Sequence, residues 1–176
     1  MIILLKKTVV MPVTVLLFLS LISTASTTLT RAVAQSIGPA QQLTVYIHSL
    51  QPDGNKVILT ADEINWYEGA EADRVFAQRE PEAAQEIGGA PDGYYIVNDS
   101  DTLTEYPLAE NVDIKTQIFD HTGIPGDLDI IWNESVDLDT FLNKFGDTDV
   151  VDLSQFPYHI TVQDGKVTAI VQQYIP

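Results

Sequence analysis

Four Asp-x-Asp pairs stand out among the residues whose type and spacing could do chemistry: Asp99 with Asp101, Asp127 with Asp129, Asp137 with Asp139, and Asp147 with Asp149. Two carboxylates two residues apart on a loop can be aimed at one point, which is what a hard cation such as Ca2+ asks of its oxygen ligands. The best setting belongs to Asp127 and Asp129, because the turn Gly123-Ile124-Pro125-Gly126 can fold Asp120 back towards them. Asp120, Asp127 and Asp129 are therefore the candidate metal ligands. None of the four pairs extends to an EF-hand, which needs a third ligand, a glycine and a closing bidentate glutamate. Solvated or helix-capping carboxylates are the competing explanation, and Asp137 with Asp139 suits a helix N-terminus without any metal.

Other chemistry is poorly supported. His48, His121 and His159 show no His-x-x-x-His spacing, so zinc has no sequence signature. If the terminal hairpins pair, His48 and His159 fall on similar faces and could meet. No Gly-x-Ser-x-Gly elbow or phosphate-cradling glycine loop occurs. A hydrolytic carboxylate pair such as Asp62 with Glu68 remains open, because separation in space is invisible in sequence. No residue is assigned a catalytic or cofactor-binding role. Trp66, Tyr67, Tyr94, Tyr95 and Trp132 are aromatic candidates for either the core or a binding face. Asn98-Asp99-Ser100 and Asn133-Glu134-Ser135 match the glycosylation sequon, which matters only in a eukaryotic host.

The elements that must position these residues begin after a distinct leader. Lys6 and Lys7 precede an apolar run from Val9 to Ile22, and Ala32-Val33-Ala34 is a small-x-small cleavage site. Pro12 interrupts the run, and a comfortable membrane span wants about 20 apolar residues. Residues 1–34 read as a secretory signal, with a retained anchor as the alternative. Residues 35–176 are expected to form a single domain, secreted or otherwise extracytoplasmic, with no stable membrane insertion once the signal is cleaved.

That segment holds 6 basic and 25 acidic residues, a formal charge of −19. It offers no basic stripe to neutralise phosphates, which excludes nucleic acid as a partner. A basic protein partner fits the charge. The chain has no cysteine, so disulfides, thiol catalysis and thiolate metal sites are excluded and stability must come from packing.

Period-2 patterning marks Leu43–His48 and Lys56–Thr60 as a hairpin with a somewhat long loop around Asp53-Gly54-Asn55. Helical spacing follows from Gly69 through Ala72, Val75 and Phe76, Pro81 breaks it, and Gly88-Gly89 ends a further turn. Tyr94–Val97 reads as a buried strand, Tyr106-Pro107-Leu108 as an edge strand, and Asp113–Phe119 as an alternating one. Ser135 or Asp137 can cap a helix carrying Leu138, Phe141, Leu142 and Phe145. Tyr158–Val162, an Asp-Gly turn, and Val167–Val171 close the chain as a second hairpin. The expected fold is α+β, with a mainly antiparallel sheet, hairpins at both ends and two to three helices. Whether the strands curl into a small, partly closed barrel is left open.

Three segments carry a resemblance: Trp66-Tyr67-Glu68-Gly69-Ala70-Glu71-Ala72, Pro91-Asp92-Gly93-Tyr94-Tyr95-Ile96-Val97-Asn98 with Tyr106-Pro107-Leu108, and Ile160-Thr161-Val162 through Gly165-Lys166-Val167 to Gln173-Tyr174-Ile175-Pro176. The chain resembles a group of small, uncharacterised exported proteins and lipoproteins of Gram-positive and related bacteria. It departs from that group at Asp92-Gly93, where the group tends to have Asn-Asp, and in lacking a lipid-attachment cysteine, which implies release rather than tethering. The resemblance implies export and one domain, and no activity or catalytic residue. The functional expectation is an exported, non-catalytic domain that binds a basic protein partner or a hard cation. The alternatives are an inhibitor-like module against an exported enzyme and a hydrolase built on an unassigned carboxylate pair.

Overall fold

A computed structural model describes residues 39–175; the expected signal segment lies outside the described residues. Seven strands and three α-helices follow in the order β1 (Gln41–Asp53), β2 (Lys56–Glu68), α1 (Gly69–Arg79), α2 (Pro81–Ile87), β3 (Tyr94–Val97), β4 (Leu103–Ile118), β5 (Ile130–Val136), α3 (Leu138–Phe145), β6 (Pro157–Gln163) and β7 (Lys166–Gln172). The sheet order is β3-β2-β1-β6-β7-β4-β5, and a further pairing of β2 with β4 closes it. Five strands, β1-β2-β4-β7-β6, thus form a barrel, with β3 and β5 outside the ring. Every pairing is antiparallel except β4 with β7.

Closure has a chemical cause in the alternation of the strands. Val45 and Ile47 on β1, Leu59 and Ala61 on β2, Leu108 and Ile114 on β4, Tyr158 and Ile160 on β6, and Val167 and Ile170 on β7 are all buried in one cluster. Curling the sheet on itself buries these inward residues and removes two edges. Helix α3 adds Phe141 and Phe145 to the cluster, one turn apart on its apolar stripe. Asp137 caps that helix by accepting from Thr140 N, and Lys144 sits in its last turn, as the sequence led us to expect. Tyr158 is buried without an orphaned hydroxyl because it donates to the Leu153 carbonyl at 2.8 Å.

A smaller packing centre lies outside the ring. Helix α1 buries Ala72, Val75 and Phe76, and the rings of Phe76 and Tyr95 meet edge to face at 5.3 Å. Tyr94 and Tyr95, adjacent on β3, take opposite faces as the pleat requires. Tyr95 goes to α1, and Tyr94 stacks on Trp66.

Several local expectations are corrected. The first hairpin has no long loop: Asp53 pairs with Lys56 across the two-residue turn Gly54-Asn55. Gly54 takes φ 61°, the first-position glycine of a II′ turn, so both strands run far past the hydrophobic stretches that announced them. Tyr106–Leu108 is no separate strand but part of the 16-residue β4. That strand changes partners along its length, pairing with β2 over Leu103–Pro107 and meeting β7 from Leu108 onward. Pro107 falls where β4 still has one neighbour, which is where a missing N–H is tolerated. Strand β5 went unread in the sequence. Its ladder is irregular between Thr116 and Ile118, and amide side chains hold it there. Gln117 Oε1 accepts from Asn133 N, Gln117 Nε2 donates to the Gln172 carbonyl, and Gln172 Oε1 accepts from the N–H groups of Gln117 and Ile118.

Candidate functional site

The inward burial of Val45 and Ile47 turns the alternate residues Thr44 and Tyr46 to the outside of the barrel. Register carries this outer face across three strands: Tyr46 pairs with Asp62, Thr44 with Ile64, and Thr44 with His159 on β6. Asp62 also pairs with Leu103 at the start of β4. A cleft of about 570 Å³ opens here, lined by Tyr46, His48, Asp62, Leu103, Ser154 and Gln155 among others. That volume suits a small ligand or a single large side chain.

Asp62 is the charged group of the cleft. Its Oδ2 accepts from Asn98 Nδ2 at 2.6 Å, whereas Oδ1 is shielded from solvent and has no donor. A carboxylate offers about four lone-pair sites, and an unpaired oxygen in a dry setting is costly. The Tyr46 hydroxyl is pushed above the ordinary tyrosine range, first by burial and then by the nearby Tyr94 and Asp62. Ser154 donates to Asp152 at 2.6 Å, and Gln155 donates through Nε2 to both Asp152 and Ser154. With its N–H groups so committed, Gln155 has its carbonyl oxygen left to offer. Tyr46 and His48 can donate as well as accept, Asp62 is the one acid of the lining, and among the described residues no lysine or arginine belongs to it.

An aromatic row continues the same face. Trp66 and Tyr94 stack with ring centroids 4.6 Å apart and planes 11° from parallel, and Trp66 Nε1 donates to Glu68 at 2.8 Å. His159 meets Trp66 edge-on at 6.4 Å. Its Nδ1 lies 3.0 Å from Thr44 Oγ1 and its Nε2 3.1 Å from Gln173 Oε1. The tautomer that fits these partners donates from Nε2 to the Gln173 oxygen and accepts the Thr44 hydroxyl at Nδ1. The terminal hairpins do pair, but His159 meets Thr44 and not His48, which sits at the β1 irregularity. Trp132, on β5 and away from this face, is 65% exposed and touches Tyr174 edge-on.

Two of the expected metal ligands, Asp120 and Asp127, bond to groups of the chain itself. Asp120 is buried and its Oδ2 holds Lys144 Nζ at 2.7 Å, while Oδ1 accepts from the N–H groups of Thr122 and Gly123. These contacts, the Lys144 bond first, hold its carboxyl below the usual range. Asp127 accepts from Thr122 Oγ1 at 3.3 Å. Thr122 thus links Asp120 and Asp127 across the start of the Gly123–Gly126 turn. Among the described residues no three His, Asp or Glu side chains gather as a metal group. Of the other pairs, Asp99 takes both arms of Arg79, and Asp147 accepts from Lys144 and from Asp149 N. Asp62 and Glu68 lie six residues apart on one strand, about 20 Å of rise. A hydrolytic pair needs roughly 5–9.5 Å, so these two do not form one.

The barrel's ring order, with β4 and β7 parallel and α3 between β4 and β6, is that of the five-stranded Greek-key OB-fold. Fold alone assigns no activity. Compared with known proteins, the chain matches no family model, no curated protein and no solved structure. Sequence reasoning missed the cleft because it is made by register. Tyr46, Asp62, Leu103 and Gln155 share no spacing, and only the pairing of β1, β2 and β4 brings the first three together.

Proposed function

We propose that this protein is an exported, non-catalytic binding domain that engages a basic region of another protein. The distribution of its acids carries this reading. Of 25 acidic residues only Asp120 is buried, so the excess charge faces outward. Of the six cations after residue 34, Arg74, Arg79, Lys115 and Lys144 already face acids of the chain itself. The unbalanced field that remains attracts and orients a cationic surface, and salt weakens it. The resemblance to small exported bacterial proteins agrees with the location this requires. OB barrels serve widely as binding scaffolds, but phosphate backbones are repelled by this charge.

The test is retention of secreted proteins on immobilised residues 35–176 at low and high salt, beside an unrelated domain of matched negative charge. A basic protein held by this domain, released by salt and ignored by the control supports the reading. The same proteins on both columns overturn it. If the retained protein is an exported enzyme whose activity falls on binding, the partner is an inhibited enzyme.

A further inference from the structure

We propose that the cleft over Asp62 is an anchor pocket for one arginine side chain of the basic partner. This rests on the function proposed above and adds to it a place and a side-chain chemistry.

The observation behind it is the half-satisfied carboxylate. Asn98 takes one oxygen of Asp62, and the other has no donor and no water-accessible surface. Asp62 lines the cleft, and Asn98 occupies only one of its two oxygens, so its carboxylate keeps acceptor capacity for an entering donor. A cationic donor is the occupant the lining favours: beside Tyr46 and His48 it offers the Asp62 carboxylate and the Gln155 carbonyl, and among the described residues no lysine or arginine lines it to compete. A hard cation is a poor occupant, since it wants six or more oxygen ligands and Asp62 is the lone acid of the lining. A guanidinium is flat, carries five donors in a fixed fork, stacks on aromatic rings and sheds water more readily than an ammonium. Tyr46, paired across from Asp62, supplies the ring, and Leu103 at 45% exposure supplies an apolar rim for the methylene stem.

The probes are a capped Arg-Gly-Arg-Gly-Arg peptide and its lysine counterpart, titrated calorimetrically at low salt into residues 35–176. The intact domain is expected to bind the arginine peptide more tightly. Asp62→Asn is expected to weaken that binding about tenfold, the factor that about 1.4 kcal/mol represents. Leu103→Arg, at an exposed position, places the chain's own guanidinium on the rim and is expected to do the same, which keeps the test decisive should Asp62→Asn fold poorly. The controls carry matching charge changes elsewhere: Glu86→Gln on α2 and Ile131→Arg on β5, both at exposed sites. Equal losses in cleft variants and controls would mean that the peptide senses only the overall field. That overturns the pocket and leaves the basic-partner reading standing. Indifference of the intact domain to both peptides overturns the two together.

Discussion

Asp120 serves as a brace, its carboxylate tying the Thr122–Gly123 turn to Lys144 at the end of α3. Because those bonds depress its folded pKa, its contribution is fully present above the ordinary aspartate value of about 3.9. It is lost as pH falls from there through the depressed folded value. Asp99, Asp137, Asp147 and Asp152 are depressed in the same direction, by Arg79, by Thr140, by Asp149 N with Lys144, and by Ser154. Urea midpoints measured from pH 6 down to about pH 3 should therefore fall steeply at the acid end. Asp120→Asn should start lower and show a shallower acid limb; an unchanged limb would remove Asp120 from the linkage. At the alkaline end the sign reverses. Burial, with Glu63 second, pushes Tyr106 up to about 12, and burial pushes Tyr158 higher still. Stability is full below about 10 and lost as pH rises through the raised values. Absorbance titration should show two tyrosines ionising after the rest, and Tyr106→Phe should remove one of them.

At the scale of elements, helix α3 and the closing turn carry the sharpest expectations. Phe141 is fully buried and meets Phe145 and Tyr158 ring to ring, with centroids 5.8 and 6.1 Å away. Phe141→Ala should cost about 3–5 kcal/mol in denaturant unfolding. The turn joining β6 and β7 places Asp164 at φ 52° and Gly165 at φ 73°, both left-handed as a I′ turn demands. Gly165→Val should cost about 1–2 kcal/mol. Gly146, at φ −89° with open space around it, is the contrast, and Gly146→Ala should stay within about 0.5 kcal/mol. The Asp-Gly signature of that turn was readable directly, as was the helix that Asp137 caps and Gly146 ends. Strand β5 was not, because its exposed Ile130, Ile131 and Trp132 alternate with nothing and its hold on β4 runs partly through Gln117 and Gln172. Side-chain amides reaching across strands leave no periodic trace in a sequence.

Across the whole molecule the balance is between a neutral core and an anionic shell. With −19 on residues 35–176, self-repulsion opposes compaction. Raising ionic strength shortens the Debye length to about 10 Å at 0.1 M and screens that repulsion. The melting temperature should therefore rise with sodium chloride before any specific ligand is added. A flat or falling curve would mean that ion pairs such as Arg79–Asp99, bonded at 2.6 Å, outweigh the repulsion.

Composition, charge, the absence of cysteine, the hydrophobic alternation of the terminal strands and the helix between Asp137 and Gly146 were settled by the chain itself. Composition, charge and the missing cysteine are plain counts, and the strands and helix depend on residues within a few positions of one another, so local rules suffice to read them. Closure of the ring, the parallel pairing of β4 with β7 and the outer cleft were decided only in three dimensions. They depend on which strand meets which and in what register. A shift of one residue would send Tyr46 and Asp62 to the inside and Val45 and Ile47 to the outside, and burial of the apolar set rules that shift out. The same burial that closes the barrel thus leaves Asp62 facing outward with one oxygen unpaired.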